Sequence, residues 1–192
     1  MHNAIASPPA AVNEPVRSYA PGSPERVSLR STLMTMREDE VEILPVIDGV
    51  RVETGRVESI HPPHERSRSL GTFHKARTED VEAAIRGALA ARHDWARLDW
   101  SDRAAVFLKA ADLLAGPYRD RMNAATMLGQ SKNPYQAEID AACEMVDFFR
   151  FNVQFYREMM AEQPISAPGI WNRTEYRPLE GFVFAVTPFN FT

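Results

Sequence analysis

Hydrophobic positions follow no period over residues 1–23, where Pro8, Pro9, Pro15 and Pro21 stand among small and polar neighbours. Such a stretch buries too little to order itself, and it is expected to be a flexible N-terminal arm. Ser23-Pro24-Glu25 then has the composition of a helix start: a capping serine, proline at the first helical position and an acid in the first turn. The helix is expected to reach about Arg37. In LPVIDGVRVETGRVESI, Asp48-Gly49 separates two apolar runs, a strong hairpin signal. Val57 and Ile60 mark a further strand piece, His61-Pro62-Pro63-His64 a loop and SLGTF a returning strand, together a small antiparallel sheet.

From Thr78 the apolar spacing becomes helical. Thr78 is placed to cap, Glu79 and Asp80 suit the positive end of the helix dipole, and Val81, Ile85, Ala88, Leu89 and Trp95 follow. Ser101 is expected to cap a second helix with Ala104, Phe107, Leu108, Ala111 and Leu114 on one stripe; Gly116 ends it and Pro117 opens a third. Asn133-Pro134 opens a fourth, with Gln136 at the capping-box position. A run from there to about Met160 is roughly 40 Å at about 1.5 Å per residue. Its stripes, Ile139, Val146, Phe149, Val153 and Met145, Phe148, Phe155, make it apolar nearly all round, which predicts deep burial. After a loop with Pro164, Pro168 and Gly169, the continuous apolar run GFVFAV predicts a buried, parallel strand. The fold class is α/β: a helical layer with small strands, then one strand at the entrance of a second unit. That strand needs hydrogen-bonding neighbours and cover on both faces, which predicts an incomplete domain.

Composition narrows the function classes. The 192 residues carry 22 Lys and Arg against 26 Asp and Glu, a mild and evenly spread net charge of −4 that excludes a nucleic-acid footprint. No apolar run approaches the ~20 residues of a membrane span. The N-terminal residues hold no apolar leader core, are not Arg-rich and include Glu14, which favours a cytoplasmic protein, with the mitochondrial matrix as the alternative. The lone cysteine, Cys143, forms no intramolecular disulfide.

The nine glycines never fall into GxGxxG or a P-loop. His61 and His64 flank two prolines with no third ligand near in sequence, a pattern of a plain loop more than of zinc. Cys143 has no neighbouring cation, base or helix N-terminus to activate it, and reads as a structural thiol. Glu144 sits among Ala141, Met145, Phe148 and Phe151 on the long helix. It is either paired with a distant arginine or solvent-facing, or it meets a ligand in a pocket. Glu138, Asp140 and Asp147 read as solvated or paired. Asn190 is either a turn residue or, at the carboxyl end of a strand where α/β sheets bind ligands, an amide donor for a developing oxyanion, dried by Phe189 and Phe191.

The stretches SPER, ALAARHDW, DRAAVFLKAADLL, QAEIDAACEMVDFFRFN, QPIS and YRPLEGFVFAVTPFNFT resemble the Δ1-pyrroline-5-carboxylate (L-glutamate γ-semialdehyde) dehydrogenases of the aldehyde dehydrogenase superfamily, from about Tyr19 to Thr192. PFNF alone marks the superfamily; the helix with DFFRFN, followed in order by LEGF and TPFNFT, marks this branch. The resemblance implies an atypical Rossmann-type domain without GxGxxG, and NAD-dependent oxidation of glutamate γ-semialdehyde to glutamate, a step of proline degradation. It implies that Asn190 donates to the oxyanion, that Phe191 packs on the substrate's carbon chain and that Glu144 faces its ammonium end. Thr187, Pro188 and Phe189 then pass the nicotinamide side of NAD. The family's nucleophilic cysteine and general-base glutamate lie beyond PFNF, and Cys143 does not match the nucleophile's position.

The resemblance divides the chain into an arm over 1–23, a helical and hairpin segment over 24–178, and the first strand and PFNF turn of the NAD-binding domain over 179–192. It implies an N-terminal part that is inactive alone, and a homo-oligomer for the full-length family member. The alternatives are a non-catalytic interaction module and an aldehyde dehydrogenase of another substrate class.

Overall fold

The structure, a computed structural model, describes residues 7–191. Helix α1 (Pro24–Glu38) starts as its sequence dictates, with the Ser23 hydroxyl accepting the Arg26 N–H and proline in the first turn. Leu29 of α1 is buried against Tyr19 and Ala124, with Leu33, Met36 and Met127 around them, so α1 packs on α4 (Arg119–Gln130).

Five short strands follow: β1 (Val41–Ile43), β2 (Val46–Ile47), β3 (Val50–Arg51), β4 (Val57–Ile60) and β5 (Gly71–His74). The β2–β3 hairpin turns through Asp48 and Gly49, both with positive φ (51° and 77°), the backbone that a two-residue turn of this kind demands. β4 pairs antiparallel with β5 as expected. β1 pairs with β5 in parallel, Val41 opposite Gly71, so the sheet is mixed rather than antiparallel. The segment between the two strands is long enough for a parallel return. Gly71 makes the pairing possible: at φ 129° a Cβ there would lie 1.9 Å from the Val41 carbonyl oxygen.

Helix α2 (Thr78–Arg97) begins one residue earlier than a Thr78 cap implies. Arg77 is the N-cap residue, and the Asp80 carboxylate accepts its N–H at 2.8 Å. α3 (Trp100–Ala115) likewise starts before Ser101, with Asp99 as cap residue, and ends at Gly116. Ala111 and Leu114 of α3 are buried against Val146 of α6 (Glu144–Ala161). The long fourth helix forms as α5 (Pro134–Ala137), a π-helical segment (Glu138–Cys143) and α6. At its start Asn133 Oδ1 accepts the Gln136 N–H (2.9 Å) and Gln136 Oε1 accepts the Asn133 N–H (3.1 Å). Asn133→Ala is expected to cost about 1 kcal/mol, read as a lower urea midpoint at unchanged slope.

Three further expectations are corrected. The all-round burial of the fourth helix does not hold: Val146 and Val153 are buried, but Phe148 and Phe155 are exposed. Over its described part the arm is held rather than free; residues 1–6 of it lie outside the described residues. Ala11 N–H donates to Gln154 Oε1 (2.9 Å), Glu14 N–H to Asp147 Oδ1 (2.6 Å) and Arg17 N–H to Glu138 Oε1 (2.8 Å). The arm thus runs antiparallel to the long helix, whose polar side chains supply the acceptors that an extended chain lacks, while its prolines bring no donor to satisfy. Finally, GFVFAV forms no strand. Among the described residues nothing pairs with 181–186, and Val183, Phe184 and Val186 are about four-fifths exposed at 80%, 81% and 78%. The apolar run is present without the ladder that would make it a strand.

Candidate functional site

Helix α4 ends in a tight corner, Gln130-Ser131-Lys132-Asn133. Ser131 takes the left-handed conformation (φ 59°, ψ 28°), which stops α4, and Asn133 at once caps α5. Lys132 is therefore fixed between two helix ends. Its Nζ donates to Asp140 Oδ2 (2.6 Å) and to the Asn190 carbonyl (2.6 Å), and it lies 5.0 Å from the centre of the Phe191 ring. Gln130 Nε2 donates to the Phe191 carbonyl at 3.0 Å. These bonds tie residues 190–191 to the helical layer.

Phe189 and Asn190 form a turn, as Asn190's composition allowed. The backbone of Asn190 is held, yet its side-chain amide makes no hydrogen bond with the described residues and is exposed. Thr187, Pro188 and Phe189 are also exposed, Phe189 almost fully at 94%. Phe191 is exposed as well, with one ring face beneath the Lys132 ammonium.

Glu144 is the first residue of α6, directly after the π-helical segment, and its N–H bonds to the Ile139 carbonyl. It is half-buried and has no hydrogen bond or ion pair with the described residues. The arginine partner that would make it a plain structural acid is thus not among them. Asp140, which holds Lys132, precedes Glu144 by four residues in the sequence. No hydrogen bond joins Glu144 to Asn190 or Phe191. The structure thus holds Asn190 and Phe191 on one ammonium, with Glu144 on the helix run that anchors it.

Sequence reasoning missed a buried charge cluster. Glu138 is fully buried (0%). Its carboxylate receives Arg119, the Arg17 amide, Tyr19 Oη (2.7 Å) and Asn123 Nδ2 (2.8 Å). Arg119 also pairs with Glu14, which reaches Arg150 at 2.7 Å. Burial alone pushes the Glu138 carboxyl up; the hydrogen bonds from Arg119, Arg17, Tyr19 and Asn123 outweigh it and hold it below the usual carboxylate range. Burial and the adjoining Glu138 raise the Tyr19 phenol far above its ordinary value. Among the five acids of this helix, only the donors' positions in space distinguish Glu138, and no sequence signal marks them.

Cys143 borders this cluster, 3.6 Å from Arg119 Nη2 and 3.8 Å from Glu138 Oε1. Burial and the Glu138 charge push its thiol up to about 11, against the opposing pull of Arg119. Such a thiol is almost wholly protonated near neutrality and is a poor nucleophile. His61 and His64 turn to different partners, Nδ1 of His61 to the Arg68 carbonyl (2.7 Å) and Nδ1 of His64 to Ser131 Oγ (2.8 Å). Among the described residues no group of three or more His, Cys, Asp and Glu is arranged to hold a metal. None of their helices is long and apolar enough to cross a membrane.

Residues 50–192 match the aldehyde dehydrogenase family. The Δ1-pyrroline-5-carboxylate dehydrogenase of Agaricus bisporus is 55% identical over 186 residues, covering 96% of this chain and 34% of that protein. The human mitochondrial Δ1-pyrroline-5-carboxylate dehydrogenase is 45% identical over 181 residues, covering 94% of this chain and 32% of that protein. The crystal structure of the Δ-pyrroline-5-carboxylate dehydrogenase from Mycobacterium tuberculosis bound with NAD superposes with a TM-score of 0.96 at 52% identity, covering 99% of this chain and 36% of that one. The chain spans about a third of the length of the relatives it matches.

Proposed function

The chain belongs to the aldehyde dehydrogenase family, and from that premise we propose that it is the N-terminal part of an NAD-dependent dehydrogenase that oxidises L-glutamate γ-semialdehyde to L-glutamate in proline degradation. One observation carries the substrate assignment: relatives named for Δ1-pyrroline-5-carboxylate match nearly the whole chain, including the arm and first helix that precede the general family match. Residues 24–178 are its helical and hairpin segment, and 179–192 are the entrance of its cofactor domain. The exposed apolar run 182–186 supports this division, because it carries the side chains of a buried strand and lacks only its neighbours.

Within this enzyme Asn190 holds the substrate oxygen. Its backbone is fixed while its side-chain amide is free, so the two N–H groups can meet the negative charge that forms when a thiolate adds to the aldehyde. Phe191 offers an apolar face to the carbon chain. Glu144, half-buried and unpaired among the described residues, receives the substrate ammonium. The nucleophile is not Cys143, whose thiol is buried and protonated. Thr187, Pro188 and Phe189 present one hydroxyl and two flat apolar surfaces, which fit the ring end of NAD and not its phosphates; the cofactor, when bound, accepts the hydride. Residues 1–192 are inactive alone. The complete enzyme is a homo-oligomer and acts in the cytoplasm, with the mitochondrial matrix as the alternative; the names of the mouse and human relatives carry the word mitochondrial.

The test is turnover of glutamate γ-semialdehyde with NAD by the complete dehydrogenase, wild type and Glu144→Gln. A charge-assisted contact contributes about 1.5–3 kcal/mol. Glu144→Gln is therefore expected to lower kcat/KM for this substrate about 10–100-fold and leave short aliphatic aldehydes unaffected. Unchanged turnover, with aliphatic aldehydes preferred by the wild type, defeats the substrate assignment.

A further inference from the structure

We propose that Lys132 is a positioning residue for the oxyanion donor, acting through the backbone of Asn190; this rests on Asn190 having the role given above. Asn190 lies in an exposed turn with no strand ladder on either side among the described residues, so the rest of the sequence around it does not fix its amide. The Lys132 ammonium spends its donors on Asp140 Oδ2 and the Asn190 carbonyl, and it covers the Phe191 face. Gln130 supplies the second tether, to the Phe191 carbonyl.

This is a built contact and not a stray surface pair. The Lys132 side chain is only 15% exposed and that of Asp140 25%, so solvent screens the pair less than an exposed one. Backbone geometry enforces it as well: left-handed Ser131 and the Asn133 capping box leave Lys132 no freedom to follow either helix. A non-glycine residue in that conformation is disfavoured and persists where the surroundings impose it. Asp140 lies in the π-helical segment, and such segments gather at functional sites. The chain therefore holds one ammonium rigidly from its helical layer and hangs the donor-bearing turn on it. A donor displaced by about 1 Å loses on the order of 100-fold in rate.

Two measurements test this. In the complete dehydrogenase, Lys132→Met keeps the aliphatic stem and removes the charge. It is expected to lower kcat 10–100-fold with KM changed less than threefold, and Lys132→Arg, which can still reach a carboxylate, a carbonyl and a ring face, is expected to recover most of the loss. In the Asn190→Ala background the same Lys132→Met change is expected to cost less than twofold, because there is no donor left to place. An equal fold-loss in both backgrounds overturns the proposal. Separately, in the 192-residue chain with 4-fluorophenylalanine at position 191, the fluorine signal is expected away from its unfolded position in the wild type and to collapse toward it in Lys132→Met. A signal indifferent to the substitution overturns the tether. A complete protein that does not oxidise the semialdehyde defeats the proposed function, while the fluorine experiment still decides the tether.

Discussion

Arg119→Met is expected to destabilise the 192-residue chain by about 3–5 kcal/mol, the cost of leaving a buried charge without its partner. Glu138 is fully buried and Arg119 nearly so, and a second carboxylate, Glu14, leans on the same guanidinium. Tyr19, Asn123 and the Arg17 amide still donate to Glu138 in the variant, but none carries charge. The pH dependence identifies the mechanism. In the wild type the Glu138 carboxyl is held below its unfolded value, so its contribution is present above about pH 4.5 and is lost as pH falls through the folded pKa. Without Arg119, burial dominates and the folded pKa rises above the unfolded one. The contribution is then full below about pH 4.5 and declines as pH rises through the folded pKa. Acidification from pH 7 to 5 is accordingly expected to leave the wild type level and to recover part of the variant's deficit in urea unfolding. A variant that loses less than 1 kcal/mol, or weakens further on that acidification, contradicts the buried-pair account. Pairing the substitution with Glu138→Gln is expected to restore part of the loss, since two neutral side chains leave no orphaned ion.

What was legible in the sequence has a common physical character. Asp48-Gly49 dictates its own turn because two adjacent residues alone set the backbone, and Asn133 with Gln136 closes a box three residues wide. Helix existence followed from apolar spacing, while the start shifted by one residue at Thr78 and by two at Ser101, because Arg77 is not a customary cap residue and Asp99 caps without a side-chain hydrogen bond. What was not legible depends on partners far along the chain. The parallel pairing of β1 with β5 needs Gly71 to meet Val41. The Glu138 cluster draws on residues 17, 19, 119 and 123, and the arm's proline-rich composition conceals that its amides find acceptors on the long helix. At the candidate site Asn190, Phe191 and Glu144 stood out by chemistry against apolar neighbours. Lys132 and Gln130 did not, because their roles reside in bonds spanning 58 and 61 residues.

Asn190→Ala in the complete dehydrogenase is expected to lower kcat by about 100–1,000-fold, the usual cost of removing one oxyanion donor, with little change in KM. The amide contributes only when negative charge has formed on the substrate oxygen, and a bound aldehyde gains little from it. Asn190→Asp is expected to be worse still, since a carboxylate repels the oxyanion that the amide attracts. The same structure predicts that Asn190→Ala is thermally silent: the side-chain amide bonds to nothing among the described residues, so its loss breaks no native contact, whereas the backbone carbonyl held by Lys132 survives the substitution. A melting temperature within a degree of wild type, beside a rate two to three orders of magnitude lower, therefore separates a donor in the transition state from a turn residue that merely shapes the chain. A loss below about fivefold returns Asn190 to the role of turn former. A large loss accompanied by an equal rise in KM points instead to an amide that binds the ground state.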